Sequence, residues 1–363
     1  MTATPRQTLM GDCIDRPLVL AIVGPTATGK SALALELADR FNGEIVSVDS
    51  VQVYRGMDIG SDKPIKSDQI RVPHHMIDLL DSTEEIDVEE FRSKANIAIR
   101  EIRSRRRLPL LVGGSALYFT ALTAPVHFRP TDPGLRLELE AKLDAEGLPS
   151  LVSDLEQVDP RAAQAIDVKN PRRVVRALES RLLLRGEARA AGAPLSTEQL
   201  RLEETSSGTG TGPAALTESR EREFPVTLVG LALASDRVEH TQRIRRRAES
   251  MFDRGFEDEV RSVFGLDGDT ATGSTPEPSR TARQALGYKE VASAISEGQS
   301  GDSAIEAIVA RTRQLSRRQT AWFRRDARLS WISVSRISQA GLLDAASSYF
   351  QSRLRAIGKE FLA

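Results

Sequence analysis

Residues Leu18 to Ser31, LVLAIVGPTATGKS, constrain this chain more than any other stretch, because an apolar run feeds a G-x-x-x-x-G-K-[ST] loop that opens a helical pattern. Leu18 to Val23 is an unbroken apolar, β-branched run, the composition of a parallel strand buried on both faces. Leu33, Leu37 and Phe41 recur at helical spacing over residues 32–41, so the loop lies between strand and helix. Gly24 and Gly29 let the backbone curl until successive N–H groups and the helix N-terminus face an anion. Lys30 adds charge and Ser31 a hydroxyl suited to Mg²⁺. Gly24, Pro25, Thr26, Ala27, Thr28, Gly29, Lys30 and Ser31 are therefore the candidate phosphate cradle. Such loops serve kinases, ATPases, GTPases and transferases alike, so the chemistry has to be read from what surrounds them.

Glu44 to Val48 reads as a second short strand, and it delivers Asp49-Ser50-Val51-Gln52-Val53-Tyr54 at its carboxyl end. Open parallel sheets bind ligands there. Asp49 thus has two readings, a cap for the turn before Tyr54 or a carboxylate facing the ligand.

The pattern of the whole chain is α/β, a parallel-sheet core of the P-loop NTPase kind with an inserted all-helical domain. Residues 1–16 read as a flexible tail and 17–124 as the first part of the core, with a helix from Val88 to Arg106 and a strand from Pro109 to Val112. A Pro-rich break at 128–133 opens a helical insertion over 125–200 that shows no convincing strand. A linker spans 201–224. Residues 225–335 return to the core through the strand-like run Val226 to Leu233 and the short WISV at 331–334, and 336–363 is a C-terminal helical tail. Thr205 to Arg220 and Leu266 to Arg280, rich in Gly, Ser, Thr and Pro, read as flexible loops.

Composition sets limits on function. With 40% hydrophobic and 28% charged residues the balance is that of a globular enzyme, and no run of eighteen apolar residues or signal-like N-terminus points to a membrane. A cytoplasmic monomer is expected. The single cysteine, Cys13, excludes an internal disulfide or a cysteine metal cluster. His74 and His75 are adjacent while His127 and His240 are distant in sequence, which favours structural roles over zinc ligation.

The formal net charge is −1, yet arginines cluster at 100–107, 172–176, 243–247 and 311–328. Local fields outweigh the sum. From Ile305 onward, Ile308, Val309, Leu315, Trp322 and Phe323 occupy one helical arc, and Arg311, Arg313, Arg317, Arg318, Arg324 and Arg325 the other. Acidic partners are nearly absent there, so the face suits a phosphate backbone. Within 242–254, by contrast, Glu249 and Asp253 offer pairing partners to Arg245, Arg246 or Arg247.

DSVQVYRGMDIGSDKP (49–64), VPHHMID (72–78), LPLLVGGSALYF (108–119), NPRRVVRALE (170–179), QRIRRRAESMFDRGFEDEV (242–260), QALGYKE (284–290) and TRQLSRRQTAWFRRD (312–326) together resemble the tRNA dimethylallyltransferases, which share a core with adenylate isopentenyltransferases. The resemblance implies transfer of a dimethylallyl group from dimethylallyl diphosphate to N6 of an adenine beside the anticodon, position 37, in the tRNA anticodon stem-loop. It assigns the loop to the diphosphate leaving group with Mg²⁺ at Ser31, Asp49 to the general base, and Ser115 and Arg243 to the reacting groups. Arg247, one turn from Arg243, is an alternative diphosphate ligand. Asp49, Ser50, Val51 and Gln52 would meet the tRNA, as would Arg172, Arg173, Arg176, Arg317 and Arg318, although Arg172, Arg173 and Arg176 could instead pair with Glu179 or the surface of the insertion. Ala116, Arg185 and Asp62 stand where the family commonly has Gly, Thr and Ala. A P-loop kinase explains the loop equally well but leaves the other segments unexplained, and an NTP-driven RNA-binding protein lacks its metal-binding Asp after Pro109 to Val112.

Overall fold

A computed structural model of the chain describes residues 17–125, 131–190, 226–266 and 277–358. The tail with Cys13, His127, the 205–220 loop and most of the 266–280 loop lie outside the described residues. The described chain falls into two compact units, one built from 17–125 with 226–266 and 277–358, the other from 131–190.

The first unit is a six-stranded, all-parallel sheet. Its strands are β1 (Leu18–Val23), β2 (Gly43–Val48), β3 (His74–His75), β4 (Leu108–Gly113), β5 (Thr227–Ala234) and β6 (Leu329–Ser333), in the order β3-β2-β4-β1-β5-β6. β1 lies inside the sheet, with Ile22 opposite both Val112 and Leu231. Because its side chains alternate between two covered faces, the run is apolar at every position. Val19, Ala21 and Val23 enter one core, and Leu18, Leu20 and Ile22 the other.

Helices α1 (Lys30–Arg40), α2 (Lys66–Arg71), α3 (Val88–Ser104) and α4 (Ala116–Thr123) connect the early strands. Asp87 caps α3 by accepting from the N–H groups of Glu89 and Glu90. Phe91 of α3 stacks on Tyr118 of α4, with ring centroids 3.8 Å apart.

The second unit contains α5 (Pro133–Glu146), α6 (Leu148–Val158), α7 (Pro160–Ala165) and α8 (Pro171–Ala190). It has its own core, including Leu139, Leu151, Leu155, Val174 and Leu178. Pro near the N-terminus of each of α5, α6 and α7 sacrifices no helical hydrogen bond. Buried Glu179 accepts from the N–H of Asp132 and from the guanidinium groups of Arg136 and Arg176, so its charge is fully partnered.

After β5 the first unit continues with α9 (Arg237–Asp253), α10 (Phe256–Phe264), α11 (Arg280–Arg283), α12 (Tyr288–Ser296) and α13 (Gly301–Phe323), and after β6 with α14 (Gln339–Ala356). Two features differ from the sequence expectation. The end of the second Gly/Ser/Thr-rich loop is pinned, since Ser279 is buried, donates its N–H to Ser82 O and caps α11. The C-terminal segment is part of the core: Leu342, Ala346, Phe350 and Leu354 of α14 pack with Leu33, Leu37 and Phe41 at α1, and Tyr349 Oη donates to Gly230 O in β5.

Candidate active site

The loop after β1 is shaped by a glycine that no other residue can replace. A Cβ on Gly24, at φ 131°, would lie 2.7 Å from Leu233 O in β5. Ala27 takes a left-handed φ of 62° and Gly29 one of 84°, which turns the chain into the N-terminus of α1. Thr28 Oγ1 closes the curl on Pro25 O at 2.9 Å.

A cavity of about 170 Å³ opens at the carboxyl ends of β1, β2 and β4. Thr26, Lys30, Ser31, Asp49, Gln52, Asp62 and Arg247 give it polar groups, and Val51 lines it too. Ile244, Ala248 and Met251 of α9, Leu286, and Ile308 and Leu315 of α13 give it apolar wall.

Lys30 Nζ donates to Pro25 O at 2.6 Å. Burial, and after it the charge of Arg247, pushes its pKa from 10.5 down to about 7, against the opposing pull of Asp49 and Asp62. An arriving polyanion would reverse that shift, so ligand binding above neutral pH takes up a proton.

Asp49 caps the turn and also lines the cavity. Oδ1 accepts from the N–H groups of Val51 at 2.8 Å and Gln52 at 3.3 Å, which is the turn role, and Oδ2 keeps no partner among the described residues in a side chain that lines the cavity. Gln52 spends its amide on the protein: Oε1 accepts from Ser47 Oγ, and Nε2 donates to the carbonyls of Ser61 and Asp62. It therefore braces residues 61–62 against β2 as well as lining the cavity.

The arginine expected at the reacting centre stands one turn away. Arg243 is paired with Glu239, reaches Val334 O at 3.4 Å and does not line the cavity. Arg247 lines it, and its Nη1 donates to Thr26 Oγ1 at 2.5 Å. The neighbouring arginines also pair differently from the local expectation. Arg245 bonds Glu306 of α13, and neither Glu249 nor Asp253 takes part in the described pairing of Arg245 and Arg247. Ser115 caps α4, its Oγ 3.5 Å from Tyr118 N, and lies outside the cavity lining, where Gly113 and Gly114 stand instead.

Four supporting residues, Gln319, His240, Glu259 and Lys63, had no place at the site in the sequence reading. Gln319 of α13 accepts the N–H of Thr26 at Oε1 (3.1 Å) and donates from Nε2 to Gly114 O (3.0 Å), so one amide ties the phosphate loop to the end of β4. A Cβ on Gly114 would meet that Nε2 at 2.5 Å. His240 Nε2 donates to Thr26 O at 2.8 Å. Glu259 accepts from the N–H groups of Asp58, Ile59 and Gly60 and from Tyr288 Oη, while Lys63 Nζ, buried, holds Tyr54 O, Asp58 and Asp78. Only Gln319, at the edge of an otherwise arginine-rich face, carried a signal in the sequence.

Arg317 and Arg318 are exposed and have no carboxylate partner among the described residues. In the second unit Arg172 and Arg173 are exposed, whereas Arg176 is bound to Glu179. Among the described residues no cluster of three or more His, Cys, Asp or Glu could hold a metal. His75 instead bonds Glu44, and His74 Nδ1 lies 2.7 Å from Val72 O.

A parallel sheet whose first strand runs through a curled glycine loop into a helix, with that loop, an aspartate and an arginine lining one cavity, defines a P-loop protein. The family model described as IPP transferase matches residues 52–326, and the one described as isopentenyl transferase matches 17–77. The chain belongs to the IPP transferase family. It is 40% identical over 342 residues to the tRNA dimethylallyltransferase of a Nocardioides species, covering 94% of this chain and 98% of that protein. It is 38% identical to the one of Corynebacterium efficiens, covering 90% and 97%. The crystal structure of the full-length tRNA isopentenylpyrophosphate transferase from Bacillus halodurans, 31% identical, matches with a TM-score of 0.61 over 94% of this chain and 98% of that one.

Proposed function

We infer that this chain transfers a dimethylallyl group from dimethylallyl diphosphate to N6 of the adenosine at position 37, beside the anticodon of tRNA, releasing diphosphate. Family membership supports a prenyltransferase of tRNA over a P-loop kinase. The observation that carries the finer reading is the cavity itself, which combines Lys30, Arg247 and the loop with apolar side chains and with Asp49. A diphosphate suits the first group and a five-carbon chain the second. As the allylic C–O bond breaks, charge grows on the diphosphate, and N–H groups of the loop, Lys30 and Arg247 stabilise that growing charge. The unpartnered Oδ2 of Asp49 takes the N6 proton as the new C–N bond forms, with Oδ1 held by the turn so that the carboxylate is oriented.

Ser31, on the cavity wall at the first turn of α1, is a hard oxygen donor beside the place for phosphates, which fits Mg²⁺ held jointly by protein and ligand oxygens. Bound there, the ion would supply further neutralisation of the leaving group. Arg317, Arg318, Arg172 and Arg173 are the proposed contacts to the RNA backbone, with Ser50, Val51 and Gln52 nearer the adenine. The enzyme acts as a cytoplasmic monomer in this reading, and no described helix is long and apolar enough to cross a membrane.

Incubation with Mg²⁺, labelled dimethylallyl diphosphate and tRNA tests the reading, with Asp49→Asn as the diagnostic variant. Asn retains the Oδ1 acceptor that holds Val51 and Gln52, so the turn survives and only the base is lost. The single-turnover rate should fall about a hundredfold to ten-thousandfold while both dissociation constants move little. Transfer at a near-wild-type rate would remove Asp49 from the chemistry, and nucleoside triphosphate turnover without prenyl transfer would return the chain to the kinase class.

A further inference from the structure

Asp62 adds a second carboxylate, besides Asp49, to the lining of a cavity that Lys30, Arg247 and the glycine loop suit to an anion. Its carboxylate lies 3.6 Å from Arg247 Nε and 3.7 Å from Arg254 Nη2, and the residue lines the cavity with Lys30 and Thr26. The backbone, not these ion pairs, holds it there. Asp62 adopts a left-handed φ of 54°, donates its N–H to Ile59 O at 3.1 Å and accepts Gln52 Nε2 at its carbonyl. Neighbouring Gly60 is clamped by Glu259 and has no room for a side chain, since a Cβ would lie 2.2 Å from Phe256.

Both ion-pair distances exceed hydrogen-bond length, whereas Arg247 is fastened to Thr26 Oγ1 by a hydrogen bond of its own. Arg247 therefore keeps its aim without Asp62. What the carboxylate adds is charge.

We propose that Asp62 is a built-in counter-anion of the phosphate cavity, which competes with the diphosphate for Arg247 and weakens retention of the released diphosphate more than binding of the donor. The proposal rests on the diphosphate reading of the cavity. The asymmetry follows from ligand chemistry: free diphosphate has one more ionisable oxygen than its prenyl ester, so a fixed negative charge repels product more than substrate.

The test is calorimetric titration of wild type, Asp62→Asn and Asp62→Glu with inorganic pyrophosphate, with and without Mg²⁺. Asn tolerates the left-handed backbone, so the 58–63 segment should keep its shape. Removing one charge at this range should tighten pyrophosphate binding about tenfold in Asp62→Asn under both conditions, with Asp62→Glu near wild type. In steady-state assays the Asn variant should show product inhibition at about tenfold lower pyrophosphate and a smaller change in donor KM. Unchanged or weaker pyrophosphate binding would overturn the proposal. Weakening confined to the Mg²⁺ titration would make Asp62 a metal ligand and overturn it as well. A wild-type protein that binds no pyrophosphate would sink the diphosphate reading itself, and this proposal with it.

Discussion

Thr26 shows how much of this site depends on single side chains from distant segments. Its N–H, carbonyl and hydroxyl are held by Gln319, His240 and Arg247, which lie more than two hundred residues further along the chain. The consequence is sharpest for the two arginines of α9. Arg247→Ala removes a cation from the cavity and frees Thr26 Oγ1, and should lower kcat/KM for the donor about a hundredfold to a thousandfold. Arg243→Ala breaks a half-buried helical ion pair with Glu239 and should leave kcat/KM within a few-fold, with a stability loss of about 1 kcal/mol or less. Steady-state kinetics on both variants decide the matter, and the reverse ranking would restore Arg243 to the diphosphate. The loop residues were legible because their pattern reports local backbone geometry. Asp49 was legible as two alternatives, and its Oδ1 is taken by the turn while the side chain also lines the cavity.

Among the elements, α13 joins two roles on one rigid rod. Its buried side carries Ile305, Ile308, Val309 and Phe323, its exposed side Arg317 and Arg318, and Gln319 between them reaches the phosphate loop. Replacing Arg317 and Arg318 together by Glu should weaken tRNA binding and reduce the slope of log K against log salt by about one for each RNA phosphate the protein ceases to neutralise. Pyrophosphate affinity should not change, because neither residue lines the cavity. An affinity and slope equal to wild type across a salt series would make the face merely solvated. The amphipathic arc of this helix was plain in the sequence, as was β5 from its apolar run. β3 was not: two residues give no period, and His74 and His75 become a strand only by pairing with Ile45 and Val46. Arg176 sits on the expected face of α8, but the buried carboxylate of Glu179 three residues on claims it.

At the scale of the whole molecule, two cores hold the sheet from opposite faces, and the second is closed by the C-terminal helix. Phe350 is fully buried and meets Phe41 edge to face with centroids 6.2 Å apart. Phe350→Ala should cost about 3–5 kcal/mol, read as a lower midpoint in urea unfolding. A loss under about 1 kcal/mol would mean that α14 contributes little to the core. The sequence by itself determined the phosphate loop, the strands of the sheet interior, the α/β order and the family, because each depends on residue types at short, fixed spacings. Which arginine of α9 faces the loop was decided only by tertiary structure. Four residues advance a helix by about 400° and about 6 Å, so Arg243 and Arg247 share nearly one face and differ chiefly in height along the axis. The height that meets Thr26 is set by how α9 packs against α13, with Ile244, Ala248 and Met251 buried in the shared core, and no local pattern encodes that distance.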